Sequence, residues 1–202
     1  MGTNNAAPTG LVYSRNRLNA APTYQASVYT IKKTYATKIG FGDVVATGTS
    51  TEQGYVVLAA DNPSAILGVF QGCQPYFDSS LQTMQFLQWW IGSGNPSGDV
   101  GCYVVDDENA LFYAQAVGGT FAQTWRGENI NWTAGTNGAP VASGISTLSL
   151  DGTSTATTNT LPFRIVGTVG VAGGPQDPTN ANPWIEVSLN FSLSEYQQAT
   201  GI

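Results

Sequence analysis

Histidine is absent from this chain of 202 residues, and charged residues make up only 10% of it. Without histidine, neither a Ser-His-Asp or Cys-His catalytic group nor a histidine-ligated zinc site can form. The chain also lacks the side chain that most often serves as a general base near neutral pH. Carboxylates alone can still catalyse reactions, but these absences favour a protein that is not an enzyme, and we predict no catalytic residues.

Cysteine is nearly as scarce. The chain contains Cys73 and Cys102, with no Cys-x-x-Cys motif. Two cysteines are too few for a disulfide framework or a thiolate metal site. We interpret both as small core residues, with a single disulfide between them as the alternative. We therefore predict no metal site and no cofactor.

Long apolar runs are missing too. No window approaches the roughly 18 apolar residues of a membrane-spanning helix, and the first residues lack the basic-then-apolar layout of a secretory signal. The sequence therefore predicts a soluble protein that does not contact a membrane.

What the chain does contain is 24 glycines, many small polar residues and 11% aromatic residues, a composition typical of short strands joined by many loops. Turn signals recur every 8 to 15 residues along the whole body. This spacing predicts an all-β fold, a compact barrel or sandwich. Residues 84–91 fit a strand or a short helix, and Asp151-Gly152 predicts a hairpin turn. The predicted strands span 24–35, 44–46, 55–59, 66–70, 100–105, 110–117, 145–150, 161–171 and 184–193. The continuous apolar run 66–70 predicts a strand buried on both faces. Residues 184–193 alternate, which predicts an apolar face that includes Ile185, Val187 and Phe191 and a solvent-facing polar face that includes Glu186.

Charge is divided unevenly along the chain. The first 38 residues contain five basic residues and no acid, whereas the rest contains 13 acids and two arginines. We predict an extended, irregular N-terminal arm (1–23), a β-rich domain (24–193) and a C-terminal tail (194–202). The basic segment would dock onto an acidic partner or a neighbouring copy of the chain. Nucleic acid is not expected, because the acidic body would repel phosphates. The basic residues are Arg15, Arg17, Lys32, Lys33 and Lys38.

Two clusters are candidate sites. The acidic run Asp106-Asp107-Glu108 lacks calcium-loop spacing, and adjacent carboxylates on an extended chain point to opposite faces. We interpret it as a solvated turn, with a metal site or catalysis as alternatives. The aromatic residues Phe86, Trp89 and Trp90 indicate core or subunit-interface packing, with a sugar-stacking platform as the alternative.

Short hydrophobic motifs follow one another along the chain at 42–45, 65–73, 104–115, 161–167 and 187–191. The order of these motifs resembles that of the head decoration, or cement, proteins of tailed bacteriophages. The resemblance covers residues 24–193.

The resemblance implies a structural virion protein on the outer surface of the head, where it stabilises contacts between capsid subunits. Its partners would be the major capsid protein and copies of itself, as a homotrimer or a dimer, after assembly in the host cytoplasm. It implies a tulip-like barrel in preference to a jelly roll, and an N-terminal arm that reaches onto the shell. The alternatives are a carbohydrate-binding module of a phage tail or fibre, and a carboxylate-based hydrolase.

Overall fold

Short segments rich in threonine and branched or aromatic residues form the strands, as their alternation predicts. A computed structural model of the chain describes residues 4–18, 26–92, 96–138, 140, 142–171 and 177–197. Within these residues no helix is long and apolar enough to cross a membrane. Short 3-10 turns occupy Ser50–Glu52, Gln123–Trp125, Phe191–Leu193 and Glu195–Gln197. The strands are β1 (Val12–Asn16), β2 (Ser27–Ile31), β3 (Val44–Thr47), β4 (Val56–Leu58), β5 (Gly68–Cys73), β6 (Tyr76–Asp78), β7 (Thr83–Gln85), β8 (Val100–Val105), β9 (Ala110–Val117), β10 (Asn129–Ile130), β11 (Leu150–Asp151), β12 (Phe163–Thr168) and β13 (Trp184–Leu189).

The strands divide between two antiparallel sheets. Sheet I has the order β1-β9-β13-β12-β10, with β11 beside β9 and parallel to it. Sheet II has the order β2-β8-β5-β3-β4, and β6 and β7 form a separate hairpin. The predicted all-β fold is confirmed. Across the described ranges the two sheets share no strand and enclose one core, an arrangement that matches the sandwich alternative of the prediction.

The main core lies between the two sheets. Sheet I contributes Phe112 and the alternate residues Ile185 and Val187, and sheet II contributes Val69 and Val105 from its two central strands. Burial of apolar surface of this kind is the dominant favourable term in folding. The predicted apolar face is therefore confirmed within β13. Phe191, predicted on the same face, lies in a 3-10 turn and is 44% exposed.

A second core covers the other face of sheet II. Phe70 and Val104 point into it from the central strands, and Trp90 and Ile39 close it from the loops. The run 66–70, predicted as a strand buried on both faces, meets this expectation, because Val69 faces the first core and Phe70 the second. Sheet II is thus the middle layer of the molecule.

The N-terminal segment is part of the body where the structure describes it. Residues 4–11 are irregular as predicted, but 12–16 form β1, and the prediction of an arm separate from the domain is wrong for residues 4–18. Leu11 is fully buried in the main core, and Tyr13 packs edge-to-face on Phe112. The sequence prediction missed the burial of Leu11 and Tyr13 because residues 1–23 are poor in hydrophobic side chains overall. Residues 1–3 and 19–23 of the predicted arm lie outside the described residues.

The predicted end of the domain at residue 193 is too early. Ser194 is buried, and the Glu195 carboxylate accepts hydrogen bonds of 2.6 Å from the backbone N–H and hydroxyl of Thr47. Residues 194–197 therefore belong to the domain. Residues 198–202 of the predicted tail lie outside the described residues.

Two ambiguous segments and the cysteines are now placed. Residues 84–91 contain the end of β7 and then irregular backbone, in which Trp90 pairs with Ile39. The strand predicted at 145–150 is wrong for most of its length, since residues 146–149 are irregular and β11 begins only at Leu150. No hairpin forms at Asp151-Gly152, because β11 pairs with β9 in a parallel direction. Cys73 and Cys102 are both free thiols.

Asp43 is a fully buried carboxylate that holds a glycine-rich loop against the start of β3. It accepts hydrogen bonds from the backbone N–H groups of Gly40 (2.6 Å) and Gly138 (3.1 Å) and from the Ser146 hydroxyl. Burial raises the pKa of Asp43, against the opposing effect of these three donors. Buried donors need an acceptor, and the Asp43 carboxylate supplies one in otherwise apolar surroundings.

The substitution Asp43→Ala is expected to lower the free energy of unfolding by about 3 kcal/mol, because it leaves the buried donors of Gly40 and Ser146 and the half-buried Gly138 N–H without their acceptor. Asp61→Ala is the matched control. The exposed Asp61 carboxylate accepts from Trp132 Nε1 and the Gly135 N–H, each at 3.0 Å, and water can replace it. Urea denaturation checks both variants, and equal losses would contradict the role given to Asp43.

Candidate functional site

All four arginines of the chain converge on the outer face of sheet I, the face turned away from the main core. Arg15 belongs to β1 and Arg164 to β12, Arg17 directly follows β1, and Arg126 follows a 3-10 turn. We call this surface, defined by the four arginines together with Glu186 and Ser188 of β13, the arginine face.

Arg15 and Glu186 form its centre. Arg15 Nε donates to Glu186 Oε1 at 2.9 Å and Arg15 Nη2 donates to Oε2 at 2.8 Å, a bidentate pair. The Ser14 hydroxyl adds a third hydrogen bond to Oε1 at 3.0 Å. Glu186 is buried although sequence alternation predicted a solvent-facing position, because the Arg15 side chain reaches it from β1.

Arg17 and Arg164 lie beside Ser188. The Arg17 Nη2 group donates to the Ser188 hydroxyl at 2.8 Å. Arg164 is the direct register partner of Ser188, between the inward-facing Phe163 and Ile165, so its exposed side chain points outward. Among the described residues, the Arg164 guanidinium has no hydrogen-bond or ion-pair partner.

Arg126 completes the cluster at a glycine. Its Nε donates to the Val166 carbonyl at 2.8 Å, and its Nη2 lies 3.2 Å from the position that a Cβ on Gly167 would occupy. Gly167 is the register partner of Glu186, which places the Arg126 charge near that carboxylate. A side chain at position 167 would push the guanidinium away.

The arginine face is positive on a protein that is negative overall. Its four arginines and one glutamate sum to +3, so the remaining three lysines and 12 acids sum to −9, giving the total of −6. Opposite charges thus lie on different parts of one surface, which orients an approaching charged partner.

The structure separates the five basic residues that the sequence grouped as one segment. Arg15 and Arg17 lie on the arginine face, whereas the lysines lie elsewhere. Lys32 Nζ donates to the Thr51 carbonyl, Lys33 is exposed after β2, and Lys38 Nζ lies 5.9 Å from the centre of the Trp89 ring. The grouping was wrong because it followed chain position, while strand order decides which side chains meet.

Sequence reasoning missed Arg126 and Arg164, which lie far along the chain in the acidic part. For Arg164 a signal was present, since it alternates with Phe163 and Ile165 and therefore had to lie on the polar face of its strand. For Arg126 no sequence signal points to the face.

The acidic run forms the turn between β8 and β9, and each carboxylate binds a different segment of the chain. The Asp106 carboxylate accepts from Ser27 and Tyr29 of β2 and from Tyr196. Burial and these contacts raise the pKa of Tyr29.

The other two carboxylates complete this corner. Asp107 accepts from the Asn16 amide of β1, and Glu108 accepts from Ser194 (3.1 Å) and Gln197 (2.9 Å). The three acids lie along an open cleft but turn apart, and no group of three or more metal-ligating side chains occurs among the described residues. They act as clamps between chain segments.

The aromatic group is also divided. Trp90 is 0% exposed in the second core, where its Nε1 donates to the Tyr35 carbonyl at 2.9 Å, and Trp89 is half-buried under Lys38. Phe86, by contrast, is 75% exposed. Trp89 and Trp90 therefore cannot form a shared sugar-stacking platform, and Trp90 cannot line an interface.

Phe86 belongs to a larger apolar surface on the β6–β7 hairpin that sequence reasoning did not identify. Phe77 and Met84 are register partners on its outer face, and Leu81 in the turn is 64% exposed. Tyr76 and Asp78 point the other way and are buried. We call Phe77, Leu81, Met84 and Phe86 the apolar hairpin face.

Comparison with known proteins gives no match to any family model, curated protein or solved structure.

The pair Arg15–Glu186 gives the arginine face a measurable pH dependence. Desolvation raises the pKa of Glu186, but the hydrogen bonds from Arg15 and Ser14 and the Arg15 charge lower it below its usual value of 4.5. A carboxyl with a lowered pKa stabilises the fold above its unfolded-state pKa, and this contribution is lost as the pH falls through the lower, folded-state value.

Glu186→Gln is expected to lower the free energy of unfolding by about 2 kcal/mol at neutral pH, because a charge-assisted bidentate pair is lost. The difference from wild type should shrink as the pH falls below 4.5, where the wild-type carboxyl also becomes protonated. Urea denaturation at a series of pH values measures it. Glu128→Gln is the control, since the Glu128 carboxylate accepts no hydrogen bond from the described residues. A pH-independent difference would contradict the assignment.

Proposed function

We propose that this chain is a structural, non-enzymatic virion protein that binds the outer surface of a tailed-phage head and stabilises contacts between capsid subunits. The arginine face carries the proposal, because it is a preassembled cationic surface on an otherwise acidic protein. The order of segments that resembles decoration proteins supplies the identity of the partner, the major capsid protein.

The chemistry of the face suits a protein partner with surface carboxylates. Guanidinium groups bind carboxylates in a bidentate manner. They are also less strongly hydrated than lysine ammonium groups, so they lose less hydration free energy when they enter an interface. The Arg164 guanidinium makes no hydrogen bond to the part of the chain that the structure describes, so its donors can bind a partner, and Arg17 uses one side-chain nitrogen for Ser188. Arginine is also enriched at interface cores, where lysine is depleted.

Nucleic acid fits this surface less well. Phosphate binding depends on neutralising many charges along a backbone, and the arginine face sums to only +3 beside a surface of −9. A limited acidic patch on a protein partner, by contrast, needs no more positive charge than four arginines supply.

The acidic corner supports a structural role. Asp106, Asp107 and Glu108 hold β2, β1 and the C-terminal segment, so their oxygens are engaged by the chain itself. A hydrolase that uses two carboxylates needs both to face a shared substrate. The directions of these carboxylates favour the structural alternative.

Self-association is the second part of the proposal. The apolar hairpin face has no charged side chain on its outer surface, since Asp78 points inward, and apolar residues exposed together mark interaction sites. We assign this surface to contacts between copies of the chain, with a homotrimer expected and a dimer as the alternative.

The double variant Arg17→Glu/Arg164→Glu is expected to bind DNA-free phage heads at least about tenfold more weakly than wild type, because two contacts become repulsive. Lys33→Glu/Lys38→Glu is the matched control, with the same change in charge on a different surface. Sedimentation of heads with labelled protein measures occupancy, and circular dichroism checks that both variants fold.

Raising the ionic strength from about 0.05 to about 0.5 M should also weaken binding of the wild type. If the arginine variant and the lysine control bind equally well, the arginine face is not the attachment surface. If the wild type binds DNA of any sequence but not heads, the capsid proposal is wrong.

Met84→Ser/Phe86→Ser is expected to shift the chain from an oligomer toward the monomer, because it removes the central apolar contacts of the hairpin face. Val171→Ser is the control, a 70% exposed apolar residue elsewhere on the surface. Analytical ultracentrifugation over a range of concentrations measures the change. A wild-type protein that is monomeric throughout would refute this part of the proposal.

A further inference from the structure

Cys73 and Cys102 stand directly opposite each other on the two central strands of sheet II. They are register partners in the antiparallel pair β5–β8. The adjacent pair, Gln74 and Gly101, is hydrogen-bonded, since the Gln74 N–H donates to the Gly101 carbonyl at 2.7 Å. The Cys73 N–H points away from β8 and donates to the Leu87 carbonyl at 3.3 Å. The two cysteines therefore occupy a non-hydrogen-bonded position of the ladder.

This position has the dimensions of a disulfide. Opposite residues at a non-hydrogen-bonded site have Cα atoms about 4.5 Å apart with side chains on the same face. Disulfides span Cα distances of about 4.4–6.8 Å. Both side chains pack in the second core, so the two thiols lie on the same side of sheet II at one register position.

We propose that Cys73 and Cys102 form an intrachain, cross-strand disulfide when the folded protein meets an oxidising environment. The site is a modification site independent of the proposed function, because it requires only the strand register. In a reducing compartment the thiols stay free, as in this structure.

Forming the disulfide removes two electrons from the cysteines, and oxidised glutathione accepts them. The Cys73 thiolate, on the partly exposed side chain, attacks the glutathione disulfide and releases one glutathione thiolate. The Cys102 thiolate then attacks the Cys73 sulfur of the mixed disulfide and releases the second. The two protons lost by the cysteines are taken up by the two glutathione thiolates. The glutathione disulfide is reduced, and the Cys73–Cys102 disulfide forms.

Burial controls the rate of this step. It raises the pKa of Cys73 and of Cys102 to about 12, so only a small fraction of either thiol is ionised at neutral pH. We therefore expect the bond to form slowly at pH 7 and faster as the pH rises, because the thiolate is the attacking species.

The bond would constrain a specific part of the molecule. The 28 residues between the two cysteines include the β6–β7 hairpin and Trp90. A disulfide across the base of this segment closes it into a loop and removes freedom mainly from the unfolded chain. The middle layer of the sandwich would be covalently closed beneath the apolar hairpin face.

The test incubates reduced, folded full-length protein with glutathione redox buffers and quantifies the bond. Intact mass and non-reducing peptide mapping should show one link between the peptides of Cys73 and Cys102, with no link between copies. Cys73→Ser and Cys102→Ser are the controls, which can form only mixed disulfides or dimers.

The decisive comparison is between the folded protein and the same chain in concentrated urea, where the two cysteines pair only by chance. We expect the equilibrium constant against glutathione to be about 100-fold higher in the folded protein, and the urea midpoint of the oxidised form to rise. The proposal is overturned if the folded thiols stay free at equilibrium, if copies crosslink instead, or if the constant is no higher than in urea.

Discussion

The chain crosses from sheet II to sheet I at the turn after β8, and the rest of the structure depends on how this corner is held. β8 is central to one sheet and β9 to the other, so the turn fixes the two sheets relative to each other. Its three consecutive carboxylates accept hydrogen bonds from β2, from β1 and from the C-terminal segment. Hydrogen bonds to charged acceptors are stronger than neutral ones, which explains why a protein with few charges has three acids at this position. Both terminal segments are thereby joined to the sandwich.

The arginine face follows from this arrangement. Once β1 is fixed beside β9, the register brings Arg15 to the same rung as Ser188 and Arg164, across four neighbouring strands. Glu186 lies one pleat away and lowers the repulsion between the guanidinium groups through its bidentate pair with Arg15. The cationic surface is thus a product of strand order, and its residues come from opposite ends of the chain.

Local sequence patterns predicted the all-β class, because alternation and turn residues act over a few positions. They also predicted the inward faces of β5 and β13. What they could not give is pairing between strands that are distant in sequence. Arg126 and Arg15 lie on the same face only through that pairing, and Leu11 is buried only because β1 joins the sheet. The lysines were grouped with Arg15 on chain position alone. The cysteines illustrate the same limit: their spacing carries no information on register, whereas the ladder places them opposite each other.

The layers of the molecule separate its two candidate contact surfaces. The arginine face covers the outside of sheet I, while the apolar hairpin packs through Tyr76 against the far face of sheet II. Two sheets and two cores therefore lie between them. The surfaces also differ in chemistry, since one is cationic and the other is apolar and uncharged. Salt weakens charge contacts made by the arginine face. Kosmotropic salts such as sulfate strengthen apolar contacts made by the hairpin face. Binding through the two surfaces therefore responds to salt in opposite directions. In the function we propose, this separation lets a single small domain use one surface for an acidic partner and the other for copies of itself.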